Sequence, residues 1–228
     1  MCQQFWTDRS TLFGDRYTGD MAGEATGVRS RGRPRAFDID EVLDRVIEVF
    51  RERGYEASSM ADIERATGLN VSSIYNTFGS KETLFQRALA RYQEVRLAAI
   101  VDALSAGTGG LADLHLALEL QHAETQSEWG LQGCLAINTM AELGSRAGSA
   151  KETLAAFRRG LADAIRLPLD RAVDLGEIRA DQVPNAVALL VSLTLGVLVL
   201  TRSEASRAEL AQHFEAAHAL VDSWTGRG

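Results

Sequence analysis

From Phe37 onward, apolar side chains recur every three or four residues, the period of amphipathic helices. Ile39, Val42, Leu43, Val46, Ile47 and Phe50 form a wide stripe, opened by Asp38 with Glu41 three residues on in the manner of a capping box. Gly54 suits the left-handed position that closes this helix. Ser59 followed by Asp62 caps a second, shorter helix whose apolar face is Met60, Ile63 and Ala66. Gly68 then supplies the positive φ of a sharp bend, Leu69 plugs the corner, and Asn70 caps a third helix running to about Phe78. Phe37, Ile47, Phe50, Met60, Ile63, Leu69, Ile74 and Phe78 are the expected core of these three helices. A core this small must lean on the rest of the chain.

A long helix is expected from about Ser80 to Leu104, with Leu84, Phe85, Ala88, Leu89 and Tyr92 against the short helices. SAGTGG, residues 105–110, breaks it. Leu111 to about Ser127 is helical again, with Leu114, Leu118 and His122 near one side and Glu119 and Glu124 elsewhere. Trp129, Gly130, Gly133 and Cys134 are expected in a loop that leads into a helix over LAINTMAEL. A helix from about Ala150 to Leu175 contains Pro168, which should kink it and release the carbonyl near Ala164. Gly176 closes it, and Asp181 and Pro184 open PNAVALLVSLTLGVLVLT, apolar nearly all round. Arg207 to Trp224 forms the final helix. The fold class is therefore all-α.

The third helix has unusual chemistry. Val71, Ile74 and Phe78 share one side, while Ser72, Ser73, Asn76 and Thr77 share the other. Solvated helix faces favour Lys, Glu and Arg; this face is small, polar and uncharged, a good set of partners for base edges and phosphates. It reads equally as a recognition helix and as a helical corner whose Ser and Asn cap and turn. Lys81 opens the next helix, where the dipole disfavours a cation, so an anionic contact explains it better than helix stability.

Charge is uneven along the chain. Of a formal net charge of −7, residues 29–96 carry 12 Lys and Arg against 11 Asp and Glu, and residues 97–228 carry 10 against 16. Arg29, Arg31, Arg33 and Arg35 form a basic arm whose Gly32 and Pro34 keep it extended. An acidic body with a locally basic edge limits indiscriminate phosphate binding. Cys2 and Cys134 are too few for a disulfide framework, which points to a reducing cytoplasm. No spacing of His, Cys and carboxylates suggests a metal site, a cofactor or an enzyme's acid–base pair.

RGRPRAFDIDEVLDRVIEVFRERGYEASSMADIERATGLNVSSIYNTFGSKETLFQRAL closely resembles the TetR/AcrR family of transcriptional regulators over about sixty residues. The resemblance implies an N-terminal three-helix helix-turn-helix DNA-binding domain with its arm at 29–79, joined to a larger helical ligand-binding and dimerisation domain at 80–228. It implies a repressor that binds a near-palindromic operator as a homodimer and is released by a small-molecule effector. Ser72, Ser73, Asn76 and Thr77 are the candidates for base or phosphate contacts, and Ser59, Tyr75 and Lys81 for the DNA backbone. Arg31, Arg33 and Arg35 are the candidates for the flanking groove.

The same resemblance places His115, Trp129, Cys134, Asn138 and Glu142 around a ligand cavity and makes Pro184–Trp224 the dimer interface. Cys134 alternatively serves as a redox or electrophile sensor, or simply packs. The apolar helix is slightly short for a bilayer span and interrupted by Asn185, Ser192 and Thr194, so burial on two sides is the better reading. Residues 1–28 show no signal-peptide pattern and no period, as in a disordered extension. Met21 begins a segment that resembles an ordinary family N-terminus and is a candidate start of translation.

Overall fold

The computed structural model describes residues 37–148 and 150–225. Arg31, Arg33, Arg35, the extension 1–28 and the candidate start at Met21 lie outside them. Every regular element among the described residues is helical. Helices α1 (Ile39–Arg53), α2 (Met60–Thr67) and α3 (Val71–Phe78) form an N-terminal triplet, and α4 (Lys81–Ser105) runs from it into the rest. Beyond it come α5 (Leu111–Thr125), a four-residue α6 (Glu128–Leu131), α7 (Leu135–Leu143), α8 (Ala150–Asp174), α9 (Val183–Arg202) and α10 (Arg207–Asp222).

The starts and stops are those that the local chemistry sets. Ser59 and Asp62 close a reciprocal capping box on α2, and Gly68 ends it at φ 72° in the left-handed region. Asn70 accepts from the Ser73 N–H at 2.8 Å to start α3. At α1 the capping box does not form as such: Asp38 accepts from the Asp40 N–H instead of reaching the residue three on. The Trp129 segment also differs from expectation, because Ser127 accepts from the Gly130 N–H and nucleates α6 where the sequence pattern predicts a loop. Helix α8 continues through a buried Pro168 to Asp174.

Two hydrophobic clusters organise the packing. The first joins Val46, Ile47, Phe50, Ile63, Ile74 and Phe78 of the triplet to Leu84, Phe85 and Leu89 of α4, and then to Leu135 and Ile137 of α7 and Phe157 of α8. Phe50 meets Phe85 edge-on at 4.9 Å between centroids. The second gathers α5, α8, α9 and α10 around Leu118, Leu169, Leu190 and Phe214. Helix α10 packs mainly on α5 and less on α9.

Candidate nucleic-acid interface and effector cavity

Helix α3 is held from beneath by Ile74 and Phe78, both buried, and presents its other side to solvent. Ser72 and Asn76 are exposed, Ser73 and Thr77 half-buried, and Tyr75 is 45% exposed. Thr77 Oγ1 donates to the Ser73 carbonyl at 2.8 Å, and Ser72 Oγ donates to Asn70 Oδ1 at 2.7 Å. Asn76 and Tyr75 make no side-chain hydrogen bond to another described residue. The face is backed by the packed core and open in chemistry.

Ser59 stands at the start of α2, its Oγ 2.6 Å from Asp62 Oδ2. Hydrogen bonds from the Ser59 hydroxyl and N–H, with Arg65 and Arg53 nearby, hold the Asp62 carboxyl down at about 2. Lys81, which the sequence pattern pairs with an anion, finds its partners inside the protein: Nζ donates to the Ser58 carbonyl and lies 4.7 Å from the Tyr55 ring centroid. These contacts fix the ammonium beside the start of α2, next to Ser59.

Helix α1 is tied to the second half of the chain by side chains that the sequence pattern does not single out. Arg51 is fully buried, with Nε and Nη2 donating to the Gly133 carbonyl at 3.2 and 2.8 Å and Nη2 to the Trp129 carbonyl at 2.8 Å. Its guanidinium lies 3.6 Å from the Trp129 ring centroid. Glu142 accepts from the N–H groups of Tyr55 and Glu56 at 2.9 and 2.7 Å. Gly54, at φ 81°, admits that carboxylate, since a Cβ there would come within 2.8 Å of it. Arg202 donates to the Glu52 carbonyl at 2.9 Å. The signal for Arg51 is its position four residues after Ile47, a cation inside an apolar stripe.

A cavity of about 80 Å³ lies between α4, α5, α8 and α9, walled by Ile100, Leu118, Phe157, Leu161, Leu190 and Leu198 among others. Its polar wall groups are Arg96, Gln121, Cys134 and Thr194. Of the five residues expected around such a cavity, Cys134 alone lies on its wall. Glu142 is turned to the α1–α2 connection, Asn138 donates to the Gln132 carbonyl at 2.9 Å, and Trp129 is stacked under Arg51. His115 sits on the α5–α10 seam, its Nδ1 2.7 Å from Nδ1 of His218 and its Nε2 3.0 Å from Asp222. Residue type points to those four, whereas the wall is set by which helix face turns inward.

Arg96 Nη2 meets both Glu124 oxygens at 2.7 and 2.6 Å, with both side chains buried. Glu124, expected away from the inward side of α5, follows Leu120 by four residues and shares its buried face. Burial opposes the Arg96 charge, but the Glu124 carboxylate outweighs it and raises the guanidinium pKa. Burial also pushes the hydroxyl of neighbouring Tyr92 up, with Cys134 adding to the shift.

Residues 42–88 match the family model described as bacterial regulatory proteins, tetR family, and residues 114–221 match that of the tetracyclin repressor-like C-terminal domain. The HTH-type transcriptional repressor ComR of Escherichia coli K12 is 45% identical over 74 residues, 32% of this chain and 35% of ComR. AcnR of Corynebacterium glutamicum, also an HTH-type transcriptional repressor, is 41% identical over 61 residues, 27% of this chain and 32% of AcnR. The match thus spans about a third of these curated relatives. Among solved structures, a cysteine-substituted TetR family regulator CifR, complexed with a 26 bp double-strand operator DNA, aligns with TM-score 0.71 and 29% identity. That alignment covers 82% of this chain and 98% of CifR. A regulator from Chloroflexus aurantiacus has the same fold at TM-score 0.71 and 20% identity, over 82% of this chain and 94% of its own.

Proposed function

Since the chain belongs to the TetR family, we propose that it is a homodimeric, sequence-specific repressor, released from a near-palindromic operator by a small-molecule effector. The observation that carries this is the outward side of α3: four small uncharged polar residues held over a packed core, with the Asn76 side chain unengaged by the described protein. In this reading the reader is residues 29–79 and the effector-binding and dimerising body 80–228. Ser72, Ser73, Asn76 and Thr77 address bases or phosphates, and Ser59, Tyr75 and Lys81 the backbone. Arg31, Arg33 and Arg35 reach the flanking groove. The operator complex of CifR, similar over 82% of this chain, supports it.

Helix α9 supports the paired state. The helical run from Ala180 to Arg202, α9 with the short turn before it, is long and apolar enough to cross a membrane, yet only 33% of its most apolar 18 residues are buried. The open side repeats at spacings of four and three through Asn185, Leu189, Ser192, Gly196 and Val199, all of them exposed. Such a seam is what a second copy covers. The protein acts in the cytoplasm and is not an enzyme in this reading. Thiol sensing by Cys134 is disfavoured by its burial, at 3% exposure.

Mobility-shift titrations on the DNA upstream of the protein's own gene test the assignment. Asn76→Ala should cost about 1–3 kcal/mol of discrimination between operator and altered sequences. Lys81→Ala should weaken all sequences alike and flatten the salt dependence by about one unit. Unchanged operator affinity in both variants would show that α3 is not the reader.

A further inference from the structure

The cavity is too small for a typical effector as it stands. An apolar hole of about 150 Å³ accommodates benzene, and this one is about 80 Å³. Anything larger must therefore move a wall. Arg96 is the cation on that wall, and its charge is already met by Glu124 at 2.6 Å. An anionic ligand would have to displace Glu124 and leave a carboxylate buried without its partner, while a cationic ligand would face Arg96. Gln121 and Thr194 differ, because neither side chain makes a hydrogen bond to another described residue. With the Arg96 charge balanced by Glu124, the polar groups that Gln121 and Thr194 offer a ligand are neutral.

Two threads lead from this wall to the last turn of α1. Cys134 lines the cavity, and the carbonyl just before it, Gly133, holds Arg51. Leu198 lines the cavity, and one helical turn on, Arg202 holds the Glu52 carbonyl. Resting on the effector-released reading, we infer that the cavity receives an uncharged, predominantly apolar effector bearing one or two hydroxyl, carbonyl or amide groups. Arg51 is the positioning residue through which widening of the cavity re-aims the reader. The ligand shifts the reader only by preferring the widened wall, which pulls the Gly133 and Trp129 carbonyls away from their position under α1.

Full-length protein is titrated with 1-octanol, octanoate and octylammonium, equal in chain length, with melting temperature and operator affinity as readouts. Octanol should raise the melting temperature and release operator, with octanoate and octylammonium at least about tenfold weaker, as the wall charges require. Arg51→Lys keeps the charge but loses the forked donor. It should bind octanol within about threefold of the parent while octanol's effect on operator affinity falls about tenfold, a split that a purely structural role would not give. Thr194→Val, which leaves α1 untouched, should lose about fivefold in octanol affinity with operator affinity unchanged, since one hydrogen bond is removed. Octanoate binding as well as octanol, no shift with any of the three, or loss of both activities in proportion in Arg51→Lys with full affinity in Thr194→Val, would overturn the inference. Operator binding without ligand is read first; its absence would count against the regulator reading, while the ligand series still decides the charge class.

Discussion

Glu124→Gln should destabilise the protein by about 3–5 kcal/mol, because it leaves the Arg96 guanidinium in the interior without a carboxylate. The pair is closed at 2.6 Å, with side-chain exposures of 7% and 4%, so solvent screens little of the loss. At about 2–4 °C per kcal/mol for a chain of this size, thermal melting should fall by about 6–20 °C. The double change Arg96→Met with Glu124→Leu should recover most of the loss, since a buried pair replaced as a unit by apolar groups often costs nothing. A single variant that melts within about 2 °C of the parent, less than 1 kcal/mol on that scale, at several scan rates would mean that the pair does not anchor α4 to α5.

Gly196→Phe should leave the isolated chain folded and abolish its pairing. Nothing lies within 4 Å of the position a Cβ would take at Gly196, and the position is exposed, so the single chain admits a side chain there. Removing a mid-helix glycine should even favour α9 by up to about 1 kcal/mol. On the open seam of Leu189, Ser192, Gly196 and Val199, however, a phenyl ring holds a second copy off. Sedimentation should show monomer. Operator affinity should fall by about 10²–10⁴-fold, the advantage of joining two reading heads in one body. A variant that stays dimeric and binds operator at parental affinity would place the interface elsewhere.

How much of this is legible in the chain depends on the distance over which each feature is determined. Ser59 with Asp62, Gly68, Asn70 and Gly54 act within one turn of their own backbone, and the helix limits they imply match those observed. The outward face of α3 is equally local, because the positions of Ile74 and Phe78 fix the opposite side. The bracket around α1 joins residues far apart in sequence: Arg51 to Gly133, Glu142 to Tyr55, Arg202 to Glu52. Helical period alone gives no partner for a charged residue on an apolar stripe, although Arg51 and Arg96 both stand on one and mark that a partner exists. His115, Trp129, Asn138 and Glu142 stand out in the sequence as polar, titratable or aromatic types. Their helix faces turn them to the α10 seam, to Arg51, to Gln132 and to the α1–α2 connection, and leave the cavity mainly to aliphatic side chains.

Hydroxyl-radical footprinting of the full-length protein on the DNA upstream of its own gene tests the central claim most directly. Two protected blocks of related sequence, centred about one duplex turn or 34 Å apart and both weakened by Asn76→Ala, are the expected result. Protection spread evenly along the duplex, or a single block indifferent to Asn76, would contradict a paired reader built on α3.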